Sequence, residues 1–110
     1  MQLQESGEMY LEAIFILKNK NGQVRSIDIA NYIGYTKPSV SRAMSILKNN
    51  KYIEIDGLGY ITLTESGEEI AKRIYERHTL LTKFLIELGV SDDTAADDAC
   101  KMEHYISAET

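Results

Sequence analysis

The 110-residue sequence predicts a mainly α fold that carries one small β-hairpin. Three observations support this. Apolar residues recur at helical spacing through most of the chain, and Val40, Ala43, Met44 and Leu47 form a stripe at i, i+3, i+4 and i+7. Two alternating, β-branched segments, 52–56 and 60–63, flank Gly57-Leu58-Gly59. A short helical segment and a glycine turn at Gly34 precede the helix that bears the stripe. Helix, turn, helix and ribbon in that order make a winged helix-turn-helix, followed here by a long helix and one further helix. The expected division is 1–64 for the first part and 65–110 for the helical remainder.

Each element has its own signal. Residues 8–18 hold Met9, Leu11, Ala13, Ile14, Phe15, Ile16 and Leu17, apolar around the whole girth, which predicts a helix buried between neighbours. Gly22 ends it. Ser26 is the expected N-cap of a short helix through Ile33 whose Ile29, Ala30 and Ile33 face inward. Thr36 caps the next helix, 36–49, and Pro38 is tolerated in its first turn. After the hairpin, Thr64 caps a long helix with Glu65, Glu68 and Glu69 at its electropositive end. Its inner stripe is Gly67, Ile70, Ala71, Ile74, His78, Leu81, Leu85 and Leu88, and Gly89 stops it. Ser91-Asp92-Asp93 opens a last helix to about Ile106, and Ser107 to Thr110 reads as the cap and first turn of another.

Charge is distributed unevenly. The net charge is −5, yet Lys18, Lys20, Arg25, Lys37, Arg42, Lys48 and Lys51 stand against the single acid Asp28 between 18 and 51. That segment carries +6 and the rest −11, so one part suits a polyanion. The outer face of 36–49 offers Lys37, Ser39, Ser41, Arg42, Ser45 and Lys48 with no carboxylate, donors suited to phosphates and base edges, although a merely solvated face has the same look. Candidate DNA contacts are Arg25, Thr36, Lys37, Ser39, Ser41, Arg42 and Lys48. Glu54 and Asp56 in the wing would oppose a DNA backbone.

No apolar run is long enough to span a bilayer and the amino terminus has no leader pattern, so a cytoplasmic protein without a membrane partner is expected. The single cysteine, Cys100, excludes an internal disulfide. Cys100, Glu103 and His104 fall at i, i+3 and i+4, where one helix face could present a thiolate, a carboxylate and an imidazole to a transition metal. The same spacing also fits a buried cysteine with a Glu–His pair on the surface.

Six fragments together resemble the diphtheria toxin repressor family of metal-dependent bacterial transcriptional repressors. They are Glu8-Met9-Tyr10-Leu11-Glu12-Ala13-Ile14, Asp28-Ile29-Ala30, Ser39-Val40-Ser41, Leu63-Thr64-x-x-Gly67, Arg77-His78-x-Leu80-Leu81-x-x-Phe84-Leu85 and Asp98-Ala-Cys100-x-x-Glu103-His104-x-Ile106-Ser107. The resemblance implies a metal-dependent, DNA-binding repressor of metal homeostasis genes. It implies a homodimer on a pseudo-palindromic operator, and Met9, Cys100, Glu103 and His104 as metal ligands. The sulfur pair resembles the iron-responsive branch, so Fe²⁺ is the first expectation, with Mn²⁺, Co²⁺, Ni²⁺ and Zn²⁺ as alternatives. Glu12 and His78 match positions that the manganese branch uses, which implies a hybrid second site. Thr82 and Ala96 stand where the family's ancillary site has an acid and a histidine, and Lys51 stands where members usually have glycine. Members also continue beyond the position of Thr110, which implies either a short member or a helical part that is incomplete at its C-terminus. Three other readings stay open: a metal-independent regulator with Cys100 as thiol sensor, an interaction module that has lost DNA binding, and a Cys100–His104 hydrolase. The last lacks an oxyanion-hole motif or a phosphate loop, so no enzyme is expected.

Overall fold

A computed structural model describes residues 5–110. The elements run α1 (Glu5–Asn21), α2 (Ser26–Ile33), α3 (Lys37–Asn49), β1 (Ile53–Ile55), β2 (Ile61–Leu63), α4 (Glu65–Glu87) and α5 (Asp92–Met102). The mainly α fold with one hairpin is therefore the fold observed. The chain forms two compact units that meet in sequence at Lys72–Arg73. The first four residues, part of the stretch read for a leader, lie outside the described residues.

In the first unit α1 packs on α2, α3 and β2. Tyr10 to Ile14 are buried without a break, and five consecutive helical residues point in every direction, so α1 is enclosed as its composition predicted. Val40, Met44 and Leu47 of α3 are 0–2% exposed and join Leu11, Ile14, Ile29, Ile53 and Ile61 in one core. Burial of this stripe decides which face α3 leaves to solvent. The turn before it depends on Gly34, which adopts φ +88 and donates its N–H to Ala30 O at 2.8 Å.

Helix α2 starts one residue earlier than the Ser26 cap implies: Arg25 is the N-cap. Asp28 Oδ2 reaches back to accept the Arg25 amide at 2.9 Å, which ties down that residue rather than Ser26. The wing pairs Ile53 with Leu63, Glu54 with Thr62 and Ile55 with Ile61. Ile61 N also donates to Val24 O at 2.7 Å, which fastens the ribbon to the chain entering α2. Asp56 Oδ1 accepts the amides of Leu58 and Tyr60, both at 2.9 Å, so this acid organises the wing's turn.

The joint after α3 departs from the glycine pattern in an unexpected way. Lys51 itself takes φ +65, while Asn50 stays at φ −88. Thr64 locks the next joint: its hydroxyl lies 2.8 Å from Lys51 O and 3.0 Å from Tyr52 O, and accepts the Gly67 amide at 3.2 Å. Gly67 is buried with its Cα against the Tyr52 carbonyl, which leaves no room for a Cβ.

In the second unit, two corrections to the expected helices appear. Leu88, assigned to the inner stripe of α4, is 65% exposed, because the helix ends at Glu87 and the chain turns at Gly89. Helix α5 stops at Met102 instead of about Ile106: its last turn tightens, with Tyr105 N donating to Met102 O at 3.0 Å. The carbonyls of Glu103 and Ile106 instead accept the Arg77 guanidinium at 2.9 and 3.3 Å. Thr110 N donates to Ser107 Oγ at 3.2 Å, the cap geometry expected for that segment. Among the described residues no helix is long and apolar enough to cross a membrane.

Candidate metal centre and nucleic-acid interface

Among the described residues, two charged side chains are buried, Glu12 and Glu103. A buried carboxylate is strongly disfavoured unless partners replace its lost hydration. Glu103 has such partners. The stripe Ala95, Ala99, Glu103 runs down the buried side of α5, small residues that let the helix seat closely and carry Glu103 to 0% exposure. Its Oε2 lies 2.8 Å from His78 Nδ1, and its Oε1 lies 3.4 Å from His104 Nε2. The His104 side chain is 3% exposed and that of His78 29%.

Helix α4 supplies His78, and the turn after α5 supplies Glu103 and His104. Arg77, next to His78, grips that turn by two carbonyls, one of them belonging to Glu103 itself. In the sequence Arg77 stands out only as part of the motif that holds His78. The available signal was its adjacency to His78, because a long cation beside a candidate ligand can reach the carbonyls at a neighbouring helix end.

Two imidazoles and a carboxylate with little access to water are a nitrogen and oxygen donor set that suits divalent transition ions. His78 and Glu103 can also hold one another by their hydrogen bond without an ion, with the tautomer of that ring set by the carboxylate. Cys100 is exposed, unlike Glu103 and the side chain of His104. In the first unit Glu12 is 7% exposed, and Met9 packs half-buried against the core. No second histidine joins His78 in the manner of the ancillary site: Thr82 spends its hydroxyl on His78 O at 2.8 Å, and Ala96 has no donor.

The other candidates lie on the first unit. Arg25, Thr36, Lys37, Ser39, Ser41, Arg42 and Lys48 are all exposed. Thr36 Oγ1 caps α3 through the Ser39 amide at 3.4 Å and donates to Ser39 Oγ at 2.9 Å, which orients both hydroxyls at the helix entrance. Arg25 lies over the Tyr60 ring, 4.4 Å from its centroid, and so spans from the α2 cap to the wing. A stripe of short hydroxyls and cations on a helix whose other side is locked in the core can be laid against a polyanion without rearrangement.

Comparison with known proteins bears on both regions. The profile of the iron-dependent repressor N-terminal DNA-binding domain matches residues 2–58. The profile of the iron-dependent repressor metal-binding and dimerisation domain matches residues 64–110. The chain is 37% identical over 101 residues to the transcriptional regulator MntR of Escherichia coli O157:H7, covering 92% of this chain and 65% of that protein. It is 34% identical over 109 residues to an uncharacterized HTH-type transcriptional regulator of Methanocaldococcus jannaschii, covering 97% of this chain and 87% of that protein. A solved manganese-dependent transcriptional repressor in complex with manganese superposes with TM-score 0.85 at 30% identity, over 94% of this chain and 48% of that one. The manganese regulator SloR superposes with TM-score 0.81 at 26% identity, over 98% and 50%. The chain thus spans 65% of the length of the Escherichia coli relative and about half of each of these two structures.

Proposed function

From the premise that the chain belongs to the iron-dependent repressor family, also called the diphtheria toxin repressor family, we propose that it is a metal-responsive, DNA-binding transcriptional repressor. The observation that carries the metal half of this reading is the buried Glu103 carboxylate set between His78 and His104. Those three are the proposed ligands of the second unit. Met9 and Glu12 are the donors proposed from α1, and Cys100 the thiolate donor from α5. A divalent cation would supply positive charge that replaces the hydration lost by the buried carboxylate. The chain's own residues do the rest. Arg77 fixes the turn that carries Glu103 and His104, and the core under α3 holds the reading face in one orientation. Ser39 and Arg42 are the foremost candidates for base or phosphate contact, with Thr36, Lys37, Ser41, Lys48 and Arg25 beside them.

The proposed partners are a pseudo-palindromic duplex in the cytoplasm and a second copy of the chain. Leu80, Phe84 and Leu88 recur every four residues and are 69%, 54% and 65% exposed, an apolar stripe of the kind a two-fold interface covers. A symmetric dimer would place two α3 helices about one DNA turn apart, or a small multiple of that.

The proposed metal is Fe²⁺, for which the sulfur donors Met9 and Cys100 argue. Mn²⁺ is the second reading, favoured by one observation: the donors the fold buries are nitrogen and oxygen, while Cys100 is exposed. The test is an anaerobic Co²⁺ titration of reduced, metal-free protein. Saturable visible bands that vanish in Glu103→Gln are expected. Loss of the sulfur charge-transfer band alone in Cys100→Ala would support the iron-type site, and an unchanged spectrum would favour the manganese type. Folded wild type that binds no metal refutes the metal reading.

A further inference from the structure

Helices α3 and α4 end in the same backbone motif with different residues at its left-handed position. After α4, Val90 N donates to Leu85 O and Gly89 N to Ile86 O, both at 3.0 Å, and Gly89 stands at φ +101. After α3, Tyr52 N donates to Leu47 O and Lys51 N to Lys48 O, both at 3.0 Å, and Lys51 stands at φ +65. Glycine adopts this conformation freely, whereas a Cβ crowds the neighbouring carbonyl. Among the described residues Lys51 is the one non-glycine with positive φ. The chain therefore holds a strained lysine where it uses glycine in the equivalent joint. Strain of this kind is a pointer to function when the side chain, rather than the backbone, is what is kept.

The surroundings suggest what the side chain is for. Lys48 and Lys51 line a groove of about 660 Å³ with Ile53, Glu54, Ile55 and Thr64, between the end of α3 and the wing. Both lysines are exposed and outnumber the one carboxylate there. The Lys51 carbonyl accepts from Thr64 Oγ1 at 2.8 Å and from Ser66 Oγ at 3.4 Å, so the backbone that carries the cation is anchored at the wing's exit.

We infer that Lys51, together with Lys48, contacts a backbone phosphate of the DNA strand running between the recognition helix and the wing. This rests on the DNA-binding reading above. Phosphate contacts of this sort set position and overall affinity and carry no sequence information, so the unknown operator is no obstacle to testing it.

The experiment uses the full chain, supplemented with Mn²⁺, and a fluorescent random-sequence duplex of about 30 base pairs, long enough for several phosphate contacts. Anisotropy is measured at about 50 to 200 mM salt, a range over which counterion release is readily resolved. Removing one phosphate contact flattens the slope of log affinity against log salt by about 0.9, so the ratio of wild-type to Lys51→Gly affinity should grow about 3.5-fold from the high to the low end. Lys51→Ala should share the flatter slope. Thermal melting separates the backbone from the charge: Lys51→Gly should melt about 2–4 °C above wild type, since relief of strain outweighs the added chain entropy of glycine, and Lys51→Ala should show no such rise. Weaker, less salt-dependent binding by a more stable variant is the expected signature. Wild-type slope and affinity in Lys51→Gly overturn the inference while leaving the DNA-binding reading intact. A wild type that binds no duplex overturns both.

Discussion

Replacing Gly67 by alanine tests how the long helix is seated on the wing. A Cβ on Gly67 would collide with the backbone carbonyl of Tyr52, an atom that cannot swing aside as a side chain could. That carbonyl oxygen also lies 3.0 Å from both Thr64 N and Thr64 Oγ1, so pushing it away stretches two hydrogen bonds at once. Forced overpacking costs about 1–3 kcal/mol, and weakening two hydrogen bonds adds about 1 kcal/mol or more. Against this, alanine gains about 1 kcal/mol over glycine in a helix. The balance is a loss of about 2 kcal/mol, or roughly 8–15 °C in melting temperature for a chain of this size. Calorimetry or circular dichroism on metal-free protein reads it directly. Gly57→Ala is the internal control, because a Cβ there meets nothing within 4 Å. It should melt within about 2 °C of wild type, as surface substitutions usually do. If Gly67→Ala melts at or above the wild-type temperature, the close approach is not what holds α4 to the wing.

Three further predictions follow the same logic. Arg77→Ala should weaken Co²⁺ binding about 10-fold or more by loosening the turn that carries Glu103, with Arg77→Lys restoring only part of it; an unchanged isotherm in a folded variant would remove Arg77 from the site. Arg42→Ala should lower duplex affinity by roughly 1–3 kcal/mol if it contacts a base, while leaving the Co²⁺ isotherm of free protein unchanged; a shifted isotherm would contradict that separation. Burial, with the neighbouring Tyr35 adding to it, pushes the Tyr10 hydroxyl above its ordinary value of 10.0. The unfolded chain then loses this proton first, so stability is fully present below about pH 10 and declines as pH rises beyond it. Tyr10→Phe should flatten that decline in urea titrations, and parallel pH profiles would show that Tyr10 does not contribute.

Much of the fold is legible in the residues because the rules that set it are short in range. The stripe of Val40, Met44 and Leu47 declares both the helix and its solvent face, and Thr36, Gly34 and Gly89 mark ends that the backbone confirms. Where local signals competed, the reading slipped by a residue or a turn. Arg25 displaced Ser26 as cap because Asp28 reached back to its amide. Helix α5 stopped early where its last turn tightened, and an arginine from α4 holds the carbonyls of Glu103 and Ile106 beyond that end. Asp56, read as a charge in the wing opposed to DNA, has a second task that no local pattern declared, folding the wing's turn.

By itself the sequence determined the helical order, the hairpin, the cation-bearing face of α3, and the set of metal-donor residue types. Periodicity and capping act within a few residues of each other, so they survive in one dimension. Only the tertiary structure decided which donors are withdrawn from water. Spacing placed Cys100, Glu103 and His104 together, yet burial selects Glu103 and His104, leaves Cys100 exposed, and brings His78 from 25 positions away to 2.8 Å from the Glu103 carboxylate. The roles of Gly67 and Lys51 were likewise beyond any local pattern. Each depends on a contact or a backbone angle that exists only once segments distant in sequence have packed, because desolvation and steric exclusion are properties of the assembled core.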